Sequence, residues 1–379
     1  MAANPNKALG EQISRLRKNL KLTQKDLASQ MGIGSPQIIS QIEKGEREVK
    51  AWELAKLSKF LFVSLSDLLA SEEPEAQPAV LWRVLPSSQI TVKEARFLKR
   101  CKQYGILEDL SGTTRPREFP QKKVDPIRVN YRDAASLAEE IRGEFGLGDR
   151  PAAAIEKTLE DRYGVKIWYD DLDEGSAAAT IGSFGPAVLM NRNEAPWRRN
   201  YNFAHEVFHL ITWDSIPATS LQKEQSLWDK IERIANAFAS CLLLPGDSVR
   251  VEIEARVRDD EIEDTDLIEI ARKFDVSTEA LLYRLVNLRL VEKEIAESIL
   301  KDESFRNLDR SSMSARWWDP PELPERYVRL AFVAYQKGRL SRAKLARLLD
   351  TSLPKVTETL QSYGLDDRES YKKIGVRAA

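Results

Sequence analysis

The sequence predicts an α+β protein that is mainly helical, and three observations carry that expectation. Short, capped segments of helical apolar spacing crowd the first seventy positions. Three brief β-rich runs between residues 165 and 191 are set off by glycine-marked turns. From residue 221 onward nearly every apolar run has helical spacing again. At 379 residues the chain exceeds one average domain, and 58 basic against 59 acidic side chains give no global polyelectrolyte signal. Boundaries are expected between residues 1–70, 71–131, 132–250, 251–310 and 311–379, the second of these a linker and spacer helix. No apolar run is long enough to span a bilayer and the opening residues lack the apolar core of a signal peptide, so a cytoplasmic protein without membrane attachment is expected. Cys101 and Cys241, the only two cysteines, fall in different predicted helices and are expected as reduced packing thiols.

Within residues 1–70, Thr23 has the chemistry of an N-cap and Gly32 that of a helix stop, which predicts a helix between them. Ser35-Pro36 supplies the next N-cap and first helical position, opening residues 37–44, which close on Gly45. This is helix-turn-helix grammar. The stretch resembles the Xre/Cro type of repressor domain, down to Ile39-Ser40-Gln41-Ile42-Glu43-Lys44-Gly45 and the trailing residues 54–58 and 63–69. One residue more than that family's commonest spacing lies between Gly32 and Glu43. The resemblance implies a double-stranded DNA operator as partner and Gln24, Ser35, Gln37, Ser40 and Gln41 as DNA-binding residues. Gln37, with Ser40 or Gln41 one turn on, would face base edges, since glutamine can bond adenine bidentately. Eleven basic and seven acidic side chains in residues 1–70 leave a surplus of four positive charges, which suits phosphate contact. The alternative for this stretch is dimerisation or partner binding.

Residues 71–78 form a polar, proline-marked linker, and residues 92–110 carry Ala95, Leu98, Cys101 and Leu107 at helical intervals, as a spacer or as the seam of a homodimer. A second irregular connection covers residues 112–126 and places a boundary before a helix near Asp133. Helices over 134–144 and 150–163 then lead to strands over 165–169, 178–183 and 187–191, with Gly182 and Gly185-Pro186 marking a tight turn.

Residues 200–213 hold both histidines of the chain in the pattern His205-Glu206-x-x-His209. At helical spacing the two imidazoles project from one face close enough to hold one zinc ion, and Glu206 can act as general base toward water. The alternative is a histidine pair on an ordinary amphipathic helix. A catalytic zinc needs three protein ligands and one open position, and no third histidine exists, so a carboxylate or Cys241 must serve. In the predicted helix 221–244, Glu232 sits inside the apolar face made by Trp228, Ile231, Ala235, Phe238, Ala239, Leu242 and Leu243, where a carboxylate is costly without a cation or metal. Asp229 and Glu224 lie nearer the polar margins, and a buried salt bridge is the alternative role for Glu232.

These residues resemble the ImmA/IrrE metallopeptidases, which pair His-Glu-x-x-His with a downstream Glu-x-x-Ala-Asn-x-Phe-Ala and a Leu-Leu-x-Pro ending. Here the second part is Glu232-Arg233-Ile234-Ala235-Asn236-Ala237-Phe238-Ala239, followed by Leu243-Leu244-Pro245. The resemblance extends to Leu137, residues 165–169, residues 184–191 and Arg198-Arg199, expected just before the metal helix. It implies a minimal zincin-like core, a small sheet beside metal-binding helices, with His205, His209 and Glu232 as zinc ligands and Glu206 as the base. In zinc peptidases of this build an exposed strand aligns the substrate by main-chain pairing, which makes Ala187, Val188, Leu189, Met190 and Asn191 the candidate substrate edge, with a plain core strand as the alternative. Arg198, Arg199, Tyr201 or backbone amides are candidates to stabilise the oxyanion.

The C-terminal part is expected to be helical, with a solvated acidic run at residues 259–266. A segment starting at Ala271 aligns without gaps to one starting at Ala346, each reading as helix, Asp-x-Ser turn and helix, so two helix-turn-helix-like modules suited to partner contact or packing are expected. Between them Trp317-Trp318-Asp319-Pro320-Pro321 reads as a stiff aromatic anchor. Taken together, the resemblances imply a DNA-binding regulator with zinc-dependent endopeptidase activity on a repressor, an antitoxin-like partner or itself. The rival expectation is a regulator whose zinc fold senses a ligand or partner protein without turnover.

Overall fold

Capping chemistry sets the first helices of the computed structural model, which describes residues 5–63, 65–69, 78–83, 90–112, 117–173, 175–221, 223–313 and 318–367. The linker at 71–77, part of the second connection at 113–116, and Trp317 lie outside the described residues. The chain divides into two compact units, Met1–Pro78 with Leu85–Gln103, and Ala79–Val84 with Tyr104–Ala379. The helix Ile90–Ser111 contributes its first part to one unit and its last part to the other.

In the first unit, Thr23 and Asp26 form a reciprocal capping box on the helix Gln24–Met31, and Gly32 ends it in the left-handed conformation. Ser35 caps Pro36–Glu43, with Pro36 in the first turn where its missing N–H costs nothing. Both helices pack with Pro5–Asn19, Ala51–Phe60 and Leu65–Leu69 around Ile13, Leu27, Met31, Ile39, Ile42 and Leu57. Gly10 allows the first helix to approach closely, because a Cβ there would collide with the carbonyl oxygens of Ile42 and Glu43.

The second unit contains a four-stranded sheet of order β1-β3-β4-β2, where β1 is Leu81–Trp82, β2 is Lys166–Asp170, β3 is Ala177–Gly182 and β4 is Gly185–Asn191. The β3–β4 hairpin turns at Gly182 opposite Gly185, whose φ of +90° excludes most side chains. One helix, Pro196–Ile211, packs on β3 and β4, and a second, Gln225–Leu243, packs on the first and on Tyr131–Phe145. Pro196, Phe203, Ala204, Val207, Phe208, Leu210 and Ile211 are buried on the former, and Ile231, Ala235, Phe238, Ala239 and Leu242 on the latter. Together they close one core of apolar side chains over the sheet.

Three sequence expectations are corrected here. The helix foreseen at 150–163 is broken into Pro151–Ala153, Ile155–Lys157 and Thr158–Arg162, short turns of differing pitch that begin at Pro151. The His-Glu-x-x-His helix begins at Pro196, so Arg198 and Arg199 lie inside it. The proposed substrate edge, Ala187, Val188, Leu189, Met190 and Asn191, is an interior strand: β4 pairs in parallel with β2 and antiparallel with β3, which uses its main-chain groups on both sides. Sequence alternation marks a buried strand but not its position in the sheet.

The weak repeat has a structural counterpart. Asp264–Lys273 and Thr278–Asn287 flank Asp275, Arg342–Leu348 and Val356–Ser362 flank Asp350, and both aspartates take the left-handed conformation, with φ of +53° and +50°. No helix among the described residues is long and apolar enough to cross a membrane.

Candidate metal centre

One helical turn separates His205 from His209 on Pro196–Ile211, and their Nε2 atoms lie 3.1 Å apart. From the facing helix Gln225–Leu243, Glu232 brings Oε2 to 3.3 Å from His205 Nε2 and Oε1 to 3.2 Å from His209 Nε2. Among the described residues this is the one group of three histidine, cysteine or acidic side chains whose ligand atoms converge, all within 4.8 Å of one another. Both histidines are buried.

The donor set fits a cation. Burial lowers the His205 pKa to about 4, against the pull of Glu232, so the imidazole is neutral at physiological pH. The Nδ1 of His205 lies 3.1 Å from the side-chain oxygen of Asn236, an acceptor, which places the ring proton on Nδ1 and leaves a lone pair on Nε2. That lone pair faces His209 Nε2 and the Glu232 carboxylate, an arrangement that a shared positive ion stabilises. Glu232 Oε1, for its part, has no hydrogen-bond partner among the described residues despite its burial. Burial works to raise the Glu232 pKa, and the adjacent His205 and His209 rings outweigh it, so the carboxyl stays well below the usual carboxylate range. Two imidazoles and one carboxylate with a remaining open position are the ligand set of a catalytic zinc site.

Glu206 is fully buried, and neither of its carboxylate oxygens has a hydrogen-bond partner among the described residues. Burial pushes its pKa up to about 7; His209 draws it down, and the charge of Glu232 adds to the rise. A carboxyl poised there can both accept and return a proton at neutral pH.

Behind the ligands lies a polar support that the sequence did not disclose. Asn236 Oδ1 accepts from Arg83 Nη2 at 3.1 Å as well as from His205, while Arg83 Nη1 donates to Asn202 Oδ1. Asn202 Nδ2 in turn donates to Glu194. The Arg83 guanidinium stands 5.6 Å from the centre of the Tyr201 ring, and the Tyr201 hydroxyl donates to the Asn236 carbonyl at 2.9 Å. Asn236 stood in the quoted motif without a role, and Arg83 sits beside a stretch that reads as linker, so nothing in its neighbours pointed to it.

Other candidates are placed elsewhere. Cys241 accepts from Arg284 Nη1 at 3.0 Å and lies 3.5 Å from the Tyr131 hydroxyl, outside the ligand group, and it forms no disulfide. Asp229 is held by Gln225, and Glu224 precedes the helix, accepting from Ser226. Arg199 is buried with its guanidinium on the carbonyls of Arg192, Glu194 and Trp318 and 4.2 Å from the Trp318 ring, so it anchors the start of its helix and is not an oxyanion stabiliser. Tyr201 is likewise occupied on Asn236.

On the helix-turn-helix, Gln37 and Gln41 are exposed and Ser40 is half-buried, all on Pro36–Glu43. Ser35 serves as the N-cap of that helix and also donates to Gln37. Gln24 donates to Glu43 at 2.8 Å, which directs it to the interior of the motif.

Comparison with known families agrees with both halves. Residues 160–286 match the IrrE N-terminal-like domain of the peptidase M78 family, and residues 13–68 match a helix-turn-helix family. The chain therefore joins a helix-turn-helix region to an IrrE-like peptidase region, and the first match contains His205, Glu206, His209 and Glu232. Arg83 falls outside both. No curated protein matches the chain. Among solved structures, a Mycobacterium tuberculosis transcriptional regulator is similar over 49% of this chain and 52% of its own length, at 16% identity and a TM-score of 0.32. The chain thus spans about half the length of that relative.

Proposed function

We propose that this chain is a DNA-binding transcription regulator with zinc-dependent endopeptidase activity, and that it cuts a regulatory protein: a repressor, an antitoxin-like partner or itself, in a stress, mobile-element or defence setting. One observation carries the reading, the convergence of His205, His209 and Glu232 beside a Glu206 carboxyl that has no structural partner among the described residues. A purely structural zinc site has no use for such a base. His205, His209 and Glu232 would hold the zinc, which when bound supplies Lewis acidity at the scissile carbonyl. Glu206 takes the proton from the attacking water and returns it to the leaving amine, a double duty that a pKa near 7 permits. Asn236 holds the His205 ring in the tautomer that presents Nε2. Residues 13–68 supply the operator contact, with exposed Gln37 and Gln41 toward the bases.

Co-expression with candidate regulatory partners tests the enzyme. Wild type is expected to yield discrete fragments that vanish in Glu206→Gln. Fragments that persist in that variant, or full regulatory complementation by it in a deletion strain, would leave the non-catalytic sensor as the better account.

A further inference from the structure

In the four-stranded sheet β3 has β4 on one side, and it packs against the helix that carries His205 and His209. Its other side is taken by a short piece of this same chain. Leu81 pairs with Ala179 and Trp82 with Ala178, antiparallel, and the Arg83 amide extends the ladder by donating to the Ala177 carbonyl at 3.1 Å. Two residues before this ladder, the Ala79 carbonyl accepts from the Thr180 hydroxyl at 2.8 Å. Val80, Leu81 and Trp82 are buried. At the end of the ladder the Arg83 side chain turns to Asn202 and Asn236, and Asn236 is the hydrogen-bond partner of His205. A peptidase that holds its substrate by main-chain pairing beside its metal needs an edge of this kind, an extended segment lying antiparallel on the strand next to the metal helix.

We propose that residues 79–83 occupy the peptide-docking edge of β3 in cis, as an internal competitor that an incoming substrate must displace. The inference rests on the peptidase reading for the identity of the ligand. It names the ligand class as an extended peptide with two adjacent apolar side chains followed by a basic one, the pattern of Leu81, Trp82 and Arg83. Two features suit displacement. The paired strand is only two residues long, so few main-chain bonds hold it. It also joins, at both ends of the chain direction, residues assigned to the other compact unit: Met1–Pro78 before it and Leu85–Gln103 after it. A change in the helix-turn-helix unit is thus covalently linked to the strand on both sides.

A cysteine staple tests this in the full-length protein. Trp82→Cys with Ala178→Cys places two thiols directly across the ladder, where oxidation locks the strand and reduction frees it. The probe is a fluorescent peptide copying residues 78–85 of this chain, with binding followed by anisotropy and cleavage of co-expressed partners followed separately. The reduced form is expected to bind the peptide at least tenfold more tightly than the oxidised form and to exchange the β3 amides faster. A second variant, Leu81→Pro, which cannot complete the ladder, is expected to bind it at least tenfold more tightly than wild type. Equal peptide binding by oxidised and reduced forms overturns the proposal, as does a partner that is cut equally well by both. If instead the staple controls peptide binding but no partner is cut under any condition, the docking edge stands and the peptidase reading falls.

Discussion

Two carboxylates, half-buried Glu43 in the helix-turn-helix and fully buried Glu206 in the peptidase-like core, are treated by the fold in opposite ways. Glu43 receives Ser14, the Nε and Nη2 of Arg17, and Gln24, and these donors overcome burial to hold its pKa below the ordinary value. It ties Pro5–Asn19, Gln24–Met31 and Pro36–Glu43 together. Glu206 is more deeply buried and receives no donor among the described residues, so burial drives its pKa up to about 7. Glu53 repeats the first pattern, with Arg47 on both oxygens and the Lys50 amide on one. A carboxylate buried for architecture is surrounded by donors, whereas one buried for proton transfer is left short of them.

The largest expected effect separates activity from stability at Glu206. Replacing it by glutamine is expected to lower cleavage by about 10²–10⁴-fold, the usual worth of a general base. Zinc content should not change, and the melting temperature should equal or exceed that of wild type, because no structural hydrogen bond is lost. A melting temperature several degrees lower would show that Glu206 belongs with Glu43 after all.

Glu232→Ala removes a proposed ligand and should weaken zinc binding by more than about 100-fold, beyond the range typical of supporting residues. Asp229→Ala, by contrast, should leave the metal content at one ion per chain or whatever wild type holds. Loss of metal in the aspartate variant would reassign the third ligand.

At Glu43 the expectation is reversed. Glu43→Ala leaves the buried Arg17 without its ion-pair partner and should destabilise the first unit by about 3 kcal/mol. Because the folded-state pKa is lowered, this stabilisation is present above the ordinary glutamate pKa and fades as the pH falls through the lowered one. The wild type and Glu43→Ala should therefore converge in stability at acid pH. Zinc affinity and cleavage are the controls, and a change in either would mean that the two carboxylates are not independent.

Smaller effects are expected from the support. Asn236→Ala frees the His205 ring and should reduce zinc affinity by about 10–100-fold, measured by competition with a chelating dye. A change of similar size is expected in DNA reading. Gln37→Ala should cost about 1–3 kcal/mol at one base position and leave the salt dependence of binding intact, since glutamine carries no charge to a phosphate. A reduced salt slope would move Gln37 from base reading to backbone contact.

Local chemistry determined much of this protein. Thr23 with Asp26, Gly32, and Ser35 with Pro36 fix helix ends through contacts a few residues long, so the helix-turn-helix was legible from spacing alone. The helical repeat placed His205 and His209 on one face, and an acidic residue within an apolar stripe singled out Glu232, which the fold brings to both imidazoles. What the tertiary structure decided depends on partners far apart in sequence. The position of β4 inside the sheet follows from the parallel pairing with β2, and a strand's own alternation is the same at an edge or in the interior. Arg83 meets Asn202 and Asn236 from more than a hundred residues away, and its chain neighbours, a short apolar run at 79–85, carry no sign of a metal site. Periodicity reports which face of an element is buried; it does not report which element arrives to cover it, because that choice is made by pairing and packing between segments that the chain order does not bring together.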